Sequence, residues 1–159
     1  MSPELLQKAE KALPNLPPAA QQKVGALIVE AKKTLANERA KNDFMVFVNY
    51  VWPSFIHGEH HVKMARAFER VANGTCKRLI INMPPRHTKS EFASYLLPAW
   101  FLGKFPEKKI IQTSHTAELA VGFGRKVRNL VDSDAYKDLF PSVGLQSDSK
   151  AAEIGRAHV

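Results

Sequence analysis

Cysteine is almost absent from these 159 residues, with Cys76 the one thiol. A single sulfur closes no intramolecular disulfide and builds no cysteine zinc site; it fits a reducing compartment, so an intracellular chain is expected. Long apolar runs are missing as well. No stretch approaches the roughly 18 to 20 continuous apolar residues that a membrane span needs, and the start, Met1-Ser2-Pro3-Glu4, lacks a basic flank followed by an apolar run. Membrane insertion and secretion are both disfavoured. Acidic residues are scarce: 15 Asp and Glu against 23 Lys and Arg leave a net charge of +8. That balance favours an anionic partner, whether nucleic acid, nucleotide or acidic lipid, without choosing among them. No internal repeat is visible. The apolar content, 45%, suffices for one globular domain, and the length leaves no room for two of ordinary size.

Read along the chain, a short helix is predicted from about Glu4 to Leu13, broken by Pro14-Asn15-Leu16-Pro17-Pro18 because proline cannot continue a helix interior. From Ala19 to Lys41 the recurrence of Val24, Ala26, Leu27, Ile28, Ala31 and Leu35 predicts an amphipathic helix, giving an N-terminal helical arm over 1–41. Asp43 is placed to cap a helix holding Phe44, Phe47, Val48, Val51 and Trp52, ended by Pro53. Gly58 marks a turn, and Glu59 to Ala72 reads as a helix closed by Asn73-Gly74 in a left-handed terminus. The run Arg78-Leu79-Ile80-Ile81-Asn82 then reads as a strand buried between layers. A helix from Glu91 to about Leu102, a turn over Gly103 to Lys108, a second strand at Lys109 to Ser114 and a helix from Ala117 to Val131 follow. That order predicts an α/β fold, a parallel sheet flanked by helices with right-handed crossover, after the helical arm.

Between the first strand and its helix stand Met83-Pro84-Pro85-Arg86-His87-Thr88-Lys89-Ser90. The Lys-Ser ending matches a Walker A loop, but Met83 and Thr88 occupy the two glycine positions of that pattern. Pro84 and Pro85 have no N–H, so amide donors to a phosphate come from His87, Thr88, Lys89 and Ser90, at the positive end of a helix dipole. Lys89 supplies a point charge for β and γ phosphates, Arg86 a rigid fork of donors, and Ser90 a hydroxyl for Mg²⁺ bridging the phosphates. On the residues alone, this nucleotide cradle and a solvated surface turn both stay open. Thr88 counts against the cradle, because a β-branched residue resists the positive φ that glycine supplies.

The segment from Lys77 to Glu91, with Pro98-Ala99-Trp100-Phe101-Leu102-Gly103, Ile110 to His115, Glu118-Leu119-Ala120, Phe123 to Asn129 and Leu139-Phe140-Pro141, resembles the ATPase domain of tailed-phage terminase large subunits over about Phe44 to Ala152. The resemblance implies a partial P-loop NTPase over 42–152 that binds ATP with Mg²⁺ through Pro85, Arg86, His87, Thr88, Lys89 and Ser90. In that family Pro-Pro-Arg-His replaces the glycine-rich start, and Gly is commoner than Thr before the lysine. An upstream element near the adenine is similar to Phe44–His60; His60 aligns best with it, and His61 is beside it. The intact enzyme so implied couples ATP hydrolysis to translocation of double-stranded DNA into procapsids and cuts DNA with a nuclease domain. Its partners are the portal protein, the small terminase subunit and further copies of itself, in the bacterial host cytoplasm and transiently at the procapsid portal.

Hydrolysis also needs an acid at the end of an apolar strand and a carboxylate to orient water. Downstream of Ser90 no such strand is found: Leu130-Val131-Asp132 reads as a helix end. The Walker B strand and nuclease domain are therefore expected to be missing, and the chain is expected to bind nucleotide weakly with essentially no turnover. Residues 153–159, Glu-Ile-Gly-Arg-Ala-His-Val, depart from the family and can be encoded by a string resembling a sequencing-library adapter, so they are expected to be a non-native tail. Two alternatives stand beside the ATP-binding reading. One is a basic nucleic-acid-binding module in which Arg86, Lys89, Arg125 and Arg128 contact phosphates; the other is a fragment of a helicase-like ATPase.

Overall fold

The computed structural model describes residues 3–145; the expectation for 153–159 lies outside them. The chain forms two compact units, one running to Arg39 and the other starting at Ala40. The first holds α1 (Pro3–Ala12), a single 3-10 turn (Leu13–Asn15) and most of α2 (Pro18–Asn42). The proline-rich break behaves as expected, and Gln21 secures it by donating from Nε2 to the carbonyls of Leu16 (2.9 Å) and Pro14 (3.2 Å). Leu6 and Ile28 are buried, whereas Leu27 and Val29 are exposed; Lys32 pairs with Glu10.

The second unit contains α3 (Phe44–Val51), α4 (Glu59–Ala72), α5 (Leu97–Lys104), α6 (Ala117–Val131) and α7 (Asp134–Leu139). A π-helical stretch, Glu91–Leu96, runs directly into α5. Phe44 is the hub of the core. Its ring meets Phe68 of α4, Phe92 of the π-helical stretch and Trp100 of α5 edge-on, at centroid distances of 5.5, 5.7 and 5.4 Å. Such contacts add to the burial that drives helix packing. The polar atoms carried into this core are matched: Trp100 Nε1 donates to Ala40 O (3.2 Å), and Tyr136 Oη donates to Ala99 O (2.8 Å). Burial pushes the Tyr136 phenol well above its ordinary value.

Local signals are realised where they were read. Asp43 Oδ1 accepts from Val46 N at 2.9 Å. α4 ends with Gly74 at φ +80°, and α6 keeps its predicted bounds, although Leu119 remains exposed. The helix starting near Glu91 overruns its expected end at Leu102 and takes in Gly103. There the Phe140 ring fills the space a Cβ would need, 2.5 Å from its position.

The predicted sheet is not formed, and the α/β, parallel-sheet P-loop fold is corrected to a helical one. The described residues are 68% helix and contain no strand. Arg78 to Asn82 and Lys109 to Ser114 run without regular structure, and no backbone hydrogen bond joins them among the described residues. A strand in a parallel sheet is covered on both faces, but Ile80 is 85% and Ile111 90% exposed. Only Leu79, Ile81 and Met83, the alternate positions, pack on the helical core. A β-branched composition thus yields an irregular segment with one apolar edge against the helices and the other in water.

Candidate functional site

The loop from Met83 to Ser90 joins an irregular segment to a helical head instead of a strand to a helix. Lys89 and Ser90 are already helical, and Thr88 O accepts from Phe92 N at 3.0 Å, so Thr88 heads the turn. The amides of Lys89, Ser90 and Glu91 belong to a first turn and have no intrahelical acceptor.

Two residues of the loop lie in the left-handed region, Arg86 at φ +66° and Thr88 at φ +53°, with His87 between them outside it. Alternation of this kind turns successive N–H groups toward a common side, the geometry of an anion-binding nest. Lys89 Nζ reaches back to Met83 O (3.3 Å) and ties the end of the loop to its start. His87 Nδ1 donates to Pro85 O at 2.9 Å, which fixes its proton because a carbonyl only accepts. Pro85, Arg86, His87 and Ser90 are exposed, and Thr88 and Lys89 half-buried.

Of the upstream pair, His60 is exposed, with its ring 3.8 Å from that of His61 and 5.7 Å from that of His87, so the structure brings it beside the loop. His61, named in the sequence beside His60, has a role that the sequence did not show. It is buried, packed between Phe55 and Phe92, and bonded at both nitrogens: Nδ1 to Gly58 N at 2.9 Å, and Nε2 to Thr88 Oγ1 at 2.5 Å. Burial holds its pKa below the ordinary 6.5, and the neighbouring His60, His57 and His87 push the same way. Its signal in the sequence was its place three residues after Gly58, where a side chain reaches back to the amide that opens a helix. The bond to Thr88 spans 27 residues and left no local signal.

Around this head, Glu91 Oε1 accepts from Lys126 Nζ of α6 at 2.7 Å, and the same ammonium lies 5.5 Å from the Phe123 ring centre. Arg125 is exposed, and Arg128 Nη2 donates to Asn129 Oδ1 at 3.3 Å. A concavity of about 720 Å³ runs along α6 past Leu119, Phe123, Arg125 and Lys126, and no loop residue lines it. Asp132 ends α6 and accepts from Lys137 at 2.7 Å.

Among the described residues, no group of three or more His, Cys, Asp and Glu is arranged to hold a metal ion. No described helix is long and apolar enough to cross a membrane. Family models, curated proteins and solved structures yield no match to this chain.

Proposed function

We propose that Pro85, Arg86, His87, Thr88, Lys89 and Ser90 hold the phosphates of ATP with Mg²⁺, and that the chain is the ATP-binding portion of a viral DNA-packaging terminase large subunit. The observation that carries this is the alternation of φ through Arg86, His87 and Thr88 directly before an uncapped helical head. Two L-residues in the left-handed region are costly, and a converging set of amides is what that backbone gains. The reading does not need the parallel sheet, since every donor comes from the loop and the first turn.

Each side chain then has a role. Lys89 neutralises phosphate charge from its position across the loop, and exposed Arg86 adds a planar fork. The Ser90 hydroxyl is a hard oxygen donor suited to Mg²⁺, which the nucleotide and water would otherwise surround. His60 stands beside the loop through His87 and is assigned to the adenine side. Binding without turnover is the expected behaviour, because among the described residues no strand carries an acid toward the loop, and Asp132, after Leu130-Val131, ends a helix in an ion pair with Lys137. In the intact enzyme the same site would drive movement of double-stranded DNA. It would act with the portal protein, the small terminase subunit and further copies of the chain, in the host cytoplasm and at the procapsid portal.

Titration of the 159-residue chain with Mg-ATP tests this. Binding that Lys89→Ala abolishes is the expected result; absence of binding would overturn the proposal, and motor-like ATP turnover lost in Lys89→Ala would overturn the inactive assignment. A second reading, a basic nucleic-acid-binding module, draws on Arg86 and Arg125, which are exposed and carry no ion pair among the described residues. Under that reading Lys89→Ala lowers DNA affinity and reduces its salt slope by about one unit.

A further inference from the structure

We infer that the Thr88 hydroxyl is itself a phosphate donor, oriented by His61 as a positioning residue. This rests on the nucleotide reading above and assigns one more donor to the same site. The argument is a proton count. Gly58 N–H donates to His61 Nδ1 at 2.9 Å, so that nitrogen carries a lone pair. A neutral imidazole with Nδ1 accepting bears its proton on Nε2, and Nε2 lies 2.5 Å from Thr88 Oγ1. His61 is therefore the donor and Thr88 Oγ1 the acceptor, which leaves the threonine O–H to donate elsewhere. It has no other hydrogen-bond partner among the described residues.

The left-handed backbone decides where that proton goes. A threonine that caps a helix has an extended backbone and turns its oxygen onto the amides of the first turn. Thr88, at φ +53°, makes no such bond among the described residues, its hydroxyl meeting His61 instead. The first-turn amides stay free and the hydroxyl joins them as a side-chain donor, one that the glycine usual at this place in the resembling family could not supply. Accepting from His61 also polarises the O–H toward giving its proton to an anion. The ring is fixed for this task by burial between Phe55 and Phe92.

The test compares Mg-ATP affinity of the full chain with that of Thr88→Val, Thr88→Ser and His61→Phe. Valine keeps the β-branched shape and the backbone preference while removing the hydroxyl, so a loss reports the donor. Thr88→Val is expected to bind roughly tenfold more weakly, the scale of one hydrogen bond to a charged group, and Thr88→Ser to retain most of the affinity. His61→Phe should lose a similar factor, and the double variant His61→Phe/Thr88→Val no more than either alone. An independent readout is the ¹⁵N spectrum of the His61 ring, which should show protonated Nε2 and shift when Mg-ATP is added. Wild-type affinity in Thr88→Val, multiplicative losses in the double variant, or a ring protonated on Nδ1 would each overturn the inference and leave the nucleotide reading standing. No Mg-ATP binding by the unsubstituted chain would overturn both.

Discussion

Among the described residues two threonines head helices, and they behave in opposite ways. Thr116 heads α6 with an extended backbone (φ −129°, ψ 145°), and its Oγ1 accepts from Leu119 N at 3.3 Å. Thr88 heads the turn leading to α5; its carbonyl bond to Phe92 parallels that from Ala120 to Thr116 (3.0 against 3.3 Å). Yet its φ is +53° and its hydroxyl is held by His61. Asp43 and Ser133 follow the Thr116 pattern at α3 and α7. At α3, α6 and α7 a side chain covers a first-turn amide, whereas α4 starts behind Gly58 without one. The helical head at Lys89 leaves its first amides open, which is reasonable if something outside the chain is to cover them.

The largest effect expected from breaking this contrast is at Lys89. Alanine there should abolish measurable Mg-ATP binding by calorimetric titration, a loss of about a hundredfold or more, since the proposed site loses its ammonium charge, while Thr116→Val should leave affinity unchanged. Next comes Gly103, at the other end of the helical run that Thr88 heads. Alanine must displace the Phe140 ring and should cost about 1–3 kcal/mol in denaturant unfolding, with affinity per folded molecule unchanged; a drop in affinity would mean that the head and the tail are coupled. Thr116→Val should cost about 1 kcal/mol of stability, the worth of a cap; Thr88→Val costs stability by another route, the unpaired His61 Nε2–H, so a cost undiminished when His61→Phe is combined with Thr88→Val would erase the distinction between the two heads.

The smallest effect is in pH. Because the folded state lowers the His61 pKa below 6.5, its contribution to stability is whole above pH 6.5 and drains as pH falls from there toward the lowered value. Thermal melts should show His61→Phe flattening that part of the profile. The difference between the two curves is the measurement that counts.

What could be read in advance follows the range of the forces. α2, α4 and α6 have local signals: an Ala- and Lys-rich stretch, the Asn73-Gly74 terminus, the spacing of Val127, Leu130 and Val131. Those signals put the helices within a residue or so of where they form. The absence of the sheet is not legible in the sequence because strand pairing is not local. Ile80 and Ile111 look like strand residues in isolation, but each lies in a segment without a ladder partner among the described residues. The run through Gly103 was missed for a similar reason, since Phe140, distant in sequence, packs on it. In the loop, the residue types suggested donors and flagged Thr88 as ill suited to positive φ. The structure adopts that φ anyway, and its compensation, the bond to His61, comes from a helix 27 residues earlier.

The ion pair between Glu91 and Lys126 has an electrostatic consequence for any anion approaching this end of the helix. Glu91 follows Ser90 directly, so an unpartnered carboxylate there would repel an incoming triphosphate and oppose the field of the first-turn dipoles. With Lys126 Nζ at 2.7 Å that repulsion is largely quenched. Replacing Lys126 with a neutral residue would therefore weaken the pull on an anion without touching any residue of the proposed phosphate site.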